Sequence, residues 1–219
     1  MTNPTTRPSF TDNFDRRNMR DVGGSIEERT HLFSHWDEVL PQRQLHAAAQ
    51  PHDFERRLRP LDIEYEFAGG TRTLDDYFER NDVAGLLVIA DGAVVHETYR
   101  LGTDSETRWH LWSATKSFTS TVLGRALHEG LIDSLDDRVD RFVTIPGDGY
   151  GKATLRQVMM MSSGVDFFHF EGFPDRVEMY RQIWTGDRDL DDFAGELGSR
   201  VPPGTDFNYL ATDTHVLSM

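Results

Sequence analysis

The stretch Trp112-Ser113-Ala114-Thr115-Lys116-Ser117-Phe118 reads as the first turns of a helix that presents a nucleophile. Phe118, Val122 and Ala126 repeat every four residues, with Leu123 and Leu127 beside them, which is a helical apolar stripe. Gly130 closes the helix, and Leu131 is the apolar residue expected just past such a cap. Ser113 and Lys116 stand three residues apart and so share one helical face. A serine hydroxyl needs a base within hydrogen-bond reach to become a nucleophile. A lysine one turn on can be that base when burial lowers its proton affinity. Small residues around the pair (Ala114, Thr115, Ser117, Thr119, Ser120) allow this helix to sit deep among other elements. Taken alone, the pattern is commoner as an N-cap serine followed by a surface lysine.

Outward from this helix, strands lie upstream and helices downstream. Ala84 to Ala90 is a strand with the apolar run Leu86-Leu87-Val88-Ile89, Asp91-Gly92 is a hairpin turn, and Val94 to Tyr99 returns. A lone hairpin is marginal in water and needs further partners. Further upstream, Ser25 through His35 reads as a helix, with Ser25 and Glu28 as a capping box. His31 and His35 have a metal-like spacing, but the intervening Leu32-Phe33-Ser34 lacks the glutamate of a zinc protease motif. Arg43 to Arg59 is polar and helical at best.

Downstream, the acidic run from Ile132 to Val143 lacks the glycine and glutamate register of a calcium loop and reads as a solvated helix face. Thr154 caps a helix running through Leu155, Val158, Met159 and Met161 to Gly164, its methionines read as core packing. Asp166 to Pro174 is loop-like, and Phe167, Phe168, Phe170 and Trp184 line a pocket or, more in keeping with aromatic burial, the core. Arg176 to Trp184 and Leu190 to Leu197 read as short helices, and another starts near Thr212. Strands followed by helices give an α+β fold.

The bulk numbers exclude several classes. The 219 residues carry a formal charge of −14, so phosphate backbones and anionic lipid repel the chain, and neither nucleic acid nor membrane is expected as a partner. No apolar run is long enough for a transmembrane helix, and Met1 to Asp21 lacks the apolar core of a signal peptide, so a cytoplasmic location is expected. The absence of cysteine excludes disulfides, thiolate metal sites and a cysteine nucleophile, and neither cofactor nor metal is expected.

Four blocks in order carry a resemblance. Ser113-Ala114-Thr115-Lys116, Gly130 to Val139 (GLIDSLDDRV), Thr154 to Phe167 (TLRQVMMMSSGVDF) and Pro202 to Leu217 (PPGTDFNYLATDTHVL) are similar to consecutive blocks of the serine β-lactamase, penicillin-binding-protein and esterase superfamily. They resemble most the class C β-lactamase-related branch, and within it the 6-aminohexanoate-oligomer hydrolases and their esterase-like relatives. The resemblance implies a β-lactamase/transpeptidase-like fold. It implies an acyl-enzyme on Ser113, formed from a small-molecule ester or amide. Lys116 would hold the Ser113 hydroxyl and take or relay its proton, and Tyr209 would serve with Lys116 as general acid and base. The Ser113 backbone N–H would supply half of an oxyanion hole.

Two departures accompany the resemblance. Many relatives have an asparagine two residues after the tyrosine; Ala211 stands there and cannot hydrogen-bond through its side chain, which points from β-lactams toward esters or amides. Family members also continue past the tyrosine block with strands that complete an antiparallel sheet. The expected organisation is therefore an N-terminal extension with short helices over 1–80 and a partial, C-terminally truncated β-lactamase-related domain over 81–219. In that domain 83–100 form the hairpin of an incomplete sheet and 110–219 the helical part. A second chain could complete the sheet, so a homo-oligomer stays open. So does a non-catalytic homologue with a binding role or no role.

Overall fold

In the computed structural model, residues 25–38, 43–46, 48–167, 182 and 186–219 are described. The chain divides into two compact units, up to His110 and from Leu111 onward.

The first unit opens with α1 (Ile26–Ser34), held by the Ser25–Glu28 capping box that the sequence announces. Among its described residues the segment read as helical at best has no helix and one short strand: β1 (Glu55–Arg56) pairs in parallel with β5 (Ala93–Tyr99). Its backbone finds partners beyond the strand, Arg57 N–H on the Val94 carbonyl and Arg59 N–H on that of Val95. Between them lie β2 (Glu64–Phe67), β3 (Gly70–Thr73) and α2 (Leu74–Arg80), which sequence reading missed. Ala68 and Gly69 both have positive φ at the β2–β3 turn, and a Thr73–Asp76 capping box starts α2. β4 (Gly85–Ala90) and β5 form the expected hairpin. Asp91 (φ 50°) and Gly92 (φ 72°) are both left-handed, the conformation that a two-residue hairpin turn of matching twist requires. The resulting sheet has the order β1-β5-β4 and is mixed, not purely antiparallel, because β1 runs parallel to β5. β5 buries Ala93, Val94 and Val95.

The second unit is helical. Trp112–Ala114 make a single 3₁₀ turn that runs into α3 (Thr115–His128). Gly130 (φ 74°) ends α3 with paired bonds, Gly130 N–H to the Leu127 carbonyl and Leu131 N–H to that of Ala126. α4 (Leu155–Met159), α5 (Leu190–Glu196) and α6 (Ala211–Ser218) follow. α6 packs against α3, α4 and α5. Leu123, Val158, Phe193, Leu210 and Val216 belong to the core they enclose.

Four expectations for this unit need correction. The stripe through Phe118 and Val122 does not face the core: these side chains are 62% and 68% exposed, while Leu123 is buried. α3 turns inward the face with Lys116, Thr119, Ser120, Leu123 and Leu127, where small polar residues allow close approach. The acidic run is not an α-helix; only Val139–Arg141 make a 3₁₀ turn, and turns and bends make up most of the rest. The Asp137 carboxylate accepts from Ser134 N–H and the Ser134 hydroxyl from Asp136 N–H, local bonds that are a known competitor of helix. The backbone of this run pairs instead with the start of α4, Leu155 N–H on Asp137 and Arg156 N–H on Leu135. Its carboxylates are taken by arginines: Arg141 meets Asp133 and Asp137, Arg156 meets Asp136, and Arg138 meets Asp140. α4 is shorter than read, ending before Met161, which adopts a left-handed φ of 56°. Of the methionines read as core, Met159 packs against it but Met160 is 61% exposed. Phe167 is half-buried and meets Phe193 edge to face at 5.9 Å. Phe168, Phe170 and the Arg176 to Trp184 helix lie outside the described residues, Gln182 apart.

Candidate active site

Ser113 sits inside the 3₁₀ turn and does not cap α3. The N-cap position belongs to Ala114 and carries no side-chain cap bond. The residue before it, Trp112, has φ 46°. A bulky residue in this region stores strain, which the surrounding structure must hold. The Ser113 hydroxyl is directed elsewhere. Lys116 Nζ donates to Ser113 Oγ at 3.2 Å, and the Tyr209 hydroxyl lies 2.8 Å from the same oxygen. Lys116 Nζ stands 5.1 Å from the centre of the Tyr209 ring. Ser113, Lys116 and Tyr209 thus converge on one oxygen, although Tyr209 comes from the other end of the unit.

Tyr209 reaches this place from an extended segment just before α6. Asn208 N–H donates to the Met161 carbonyl at 2.8 Å on one side, and Leu210 is buried on the other. Its hydrogen bond with Ser113 lowers the phenol below its ordinary value. Partial burial opposes that, and the Lys116 ammonium adds to the lowering. The tyrosine is still 51% exposed, so solvent screens these interactions. Under Lys116 is a cavity of about 200 Å³ lined by Ser120, Met159, Met161, Thr214 and Leu217. Ala211 is the first residue of α6 and is exposed, leaving a methyl where an amide would offer hydrogen bonds.

A polar group absent from the sequence reading lies in the core of this unit. Asp213 is 0% exposed. Its Oδ1 accepts from Ser163 Oγ at 2.9 Å and from the Tyr150 hydroxyl at 2.9 Å, and that hydroxyl also lies 2.9 Å from Thr212 Oγ1. Burial raises the Asp213 carboxyl to about 6, against the hydrogen bonds from Tyr150 and Ser163. Ser163 and Asp213 both stand in blocks singled out above; nothing in the spacing says that they meet. In the first unit, the His31 and His35 rings stack at 4.2 Å and His31 Nε2 lies 3.2 Å from Glu38. Among the described residues no cluster of three or more potential ligands could hold a metal ion. None of the described helices is long and apolar enough to cross a membrane.

A strained turn offering a serine to a lysine and a tyrosine, on a helical unit joined to a small mixed sheet, defines a class of protein. The β-lactamase family model matches residues 71–219, and the chain belongs to that family. It is 28% identical over 167 residues to the 6-aminohexanoate-dimer hydrolase of Paenarthrobacter ureafaciens, an alignment covering 75% of this chain and 40% of that protein. The fold is similar to a solved structure titled "Putative 6-aminohexanoate-dimer hydrolase from Bacillus anthracis", with a TM-score of 0.73 and 22% identity over 87% of this chain. That alignment covers 53% of the Bacillus chain. The chain therefore spans well under two thirds of the length of either relative. The superfamily and the α+β, β-lactamase-like fold implied by the four sequence blocks are those found.

Proposed function

We propose that this chain carries the nucleophile, base and acid of a serine hydrolase that cleaves a small ester or amide through an acyl-enzyme on Ser113. The observation that carries the reading is the placing of Lys116 Nζ and the Tyr209 hydroxyl within hydrogen-bond reach of Ser113 Oγ. In the first step Ser113 Oγ attacks the carbonyl carbon. Its proton passes to the Tyr209 oxygen, which the Lys116 ammonium favours as an anion. The same proton then goes to the leaving alkoxide or amine as the tetrahedral intermediate collapses. Water repeats the sequence in reverse on the acyl-enzyme, with Tyr209 as base. The family membership and the likeness to 6-aminohexanoate-dimer hydrolases support amides as one substrate class. The alanine at 211 supports simple esters and linear amides over β-lactams.

A fluorophosphonate probe is expected to label Ser113, and Ser113→Ala to abolish the label. Absence of labelling in folded protein sinks the reading. A second reading, a non-catalytic homologue that binds its ligand without turnover, is favoured by the exposure of Tyr209. A site open to water forgoes much of the electrostatic gain that catalysis draws on. Hydrolysis of p-nitrophenyl esters that is lost with Ser113→Ala excludes it.

A further inference from the structure

Tyr209 has few ties of its own. It stands in an extended segment, half of its surface in solvent, and α6 behind it has Leu210 as its N-cap residue, with no side-chain cap bond. What holds the phenol at 2.8 Å from Ser113 must therefore lie in the residues that flank it. On the N-terminal side, Asn208 N–H is bonded to the carbonyl of Met161, in the left-handed turn after α4. That turn continues into Ser163, whose hydroxyl donates to Asp213. On the C-terminal side, Asp213 is itself the third residue of α6, one turn beyond Tyr209. Both ends of the tyrosine's segment thus lead to a single carboxylate. A third tie fixes that carboxylate: the Tyr150 hydroxyl bonds Asp213 and approaches the neighbouring Thr212.

A buried carboxylate at this place is costly, and capping does not explain it. Its second oxygen, Oδ2, has no hydrogen-bond partner among the described residues. The partners named for Oδ1, Tyr150 and Ser163, are neutral. An apolar residue of similar size would avoid the desolvation penalty altogether. A single acceptor shared by Ser163 and Tyr150 does what an apolar residue cannot: it fixes the distance between the turn after α4 and the first turn of α6.

We propose that Asp213 is a positioning residue, which holds Tyr209 against Ser113 and Lys116 by fastening the turn after α4 to the first turn of α6. The inference deepens the proposed function and rests on it for the purpose of the positioning. The geometry it concerns can be read without turnover.

The test uses the full chain labelled with [¹³Cζ]tyrosine, with the Tyr209 signal assigned by Tyr209→Phe. Its pH midpoint reports whether the phenol still meets Ser113 and Lys116. The wild-type midpoint is expected below the ordinary tyrosine value of 10.0. Asp213→Asn keeps an acceptor oxygen for Ser163 and Tyr150 and retains the depressed midpoint. Asp213→Ala and Ser163→Ala return it toward the ordinary value in protein that remains folded by circular dichroism. They also slow fluorophosphonate labelling of Ser113 on the order of 100-fold, the scale of a misplacement of about 1 Å. Where Asp213→Ala fails to fold, Ser163→Ala decides. A wild-type midpoint at the ordinary value, or an unchanged midpoint in folded Ser163→Ala and Asp213→Ala, overturns the inference. If wild type is never labelled at Ser113 while the midpoint moves as described, the hydrolase reading falls and the positioning role stands.

Discussion

In the proposed mechanism the two polar neighbours of Ser113 Oγ have different duties. Lys116 offers only donors, so its ammonium cannot take the serine proton while it stays charged; Tyr209 can take it as a phenolate. The hydrogen bond with Ser113 and the Lys116 charge favour that phenolate, and the rate of acylation should follow its population. Acylation by an activated ester is expected to rise with pH until the Tyr209 midpoint is passed, below the ordinary value, and then level. Removing the cation in Lys116→Ala raises the midpoint, so the rise shifts to higher pH and the rate at neutral pH drops. A pH–rate profile of the two proteins checks this, and superimposable profiles would contradict the assignment. Tyr209→Phe removes the proposed proton acceptor and should slow acylation by about 10²–10⁴. The three side chains could be singled out in the sequence because Ser113 and Lys116 share one of the ordered blocks and Tyr209 stands in another. Asp213 could not, because its partners Tyr150 and Ser163 lie in distant segments and only the fold joins them.

Local chemistry was the readable part of the elements. The capping boxes at Ser25 and Thr154, the Asp91-Gly92 turn and the Gly130 cap all stand where their residues place them. Which face a helix buries was not readable. Phe118 and Val122 form the more regular apolar repeat, yet α3 packs through Leu123 because α6 and its neighbours lie on that side. Leu123→Ala should therefore cost about 2–5 kcal/mol, whereas Phe118→Ser should stay within about 0.5 kcal/mol, as for an exposed position. Urea denaturation of both variants checks the contrast; a larger loss for Phe118→Ser would show that the exposed stripe is covered. The turn after α4 is a second element where one residue type is required. Gly164 has φ 81°, and a Cβ there would collide with the Val201 carbonyl. Gly164→Ala adds a clash to a left-handed backbone and should lower stability by more than the roughly 1 kcal/mol of the conformational change alone. Because Asn208 hangs from the same turn, it should also weaken labelling of Ser113, which a probe assay on the folded fraction measures.

Across the whole molecule, the buried Asp213 couples stability to pH with a sign opposite to that of the exposed carboxylates. Asp76 and Asp136 have lowered values, from the bonds with Thr73 and with Arg156 respectively, and their contributions fade as pH falls through the acid range. Asp213 is raised, from 3.8 to about 6, so the folded chain holds its proton more tightly than the unfolded chain does. Between those values the native state binds more protons, and stability must fall as pH rises. A rise of this size corresponds to about 3 kcal/mol, an order of magnitude for a group desolvated in the core. Asp213→Asn carries no titrating group and abolishes this component. The stability of wild type minus that of Asp213→Asn is therefore expected to decrease from pH about 4 to about 6 and to be flat above that. The difference cancels the exposed carboxylates, which both proteins share. Urea denaturation across the range gives it directly. A flat difference would mean that Asp213 titrates alike in the folded and the unfolded chain, its charge met by its hydroxyl partners. A decrease of the expected size would mean that the core tolerates this carboxylate at a cost in the fold, consistent with its retention for the geometry it fixes around Tyr209.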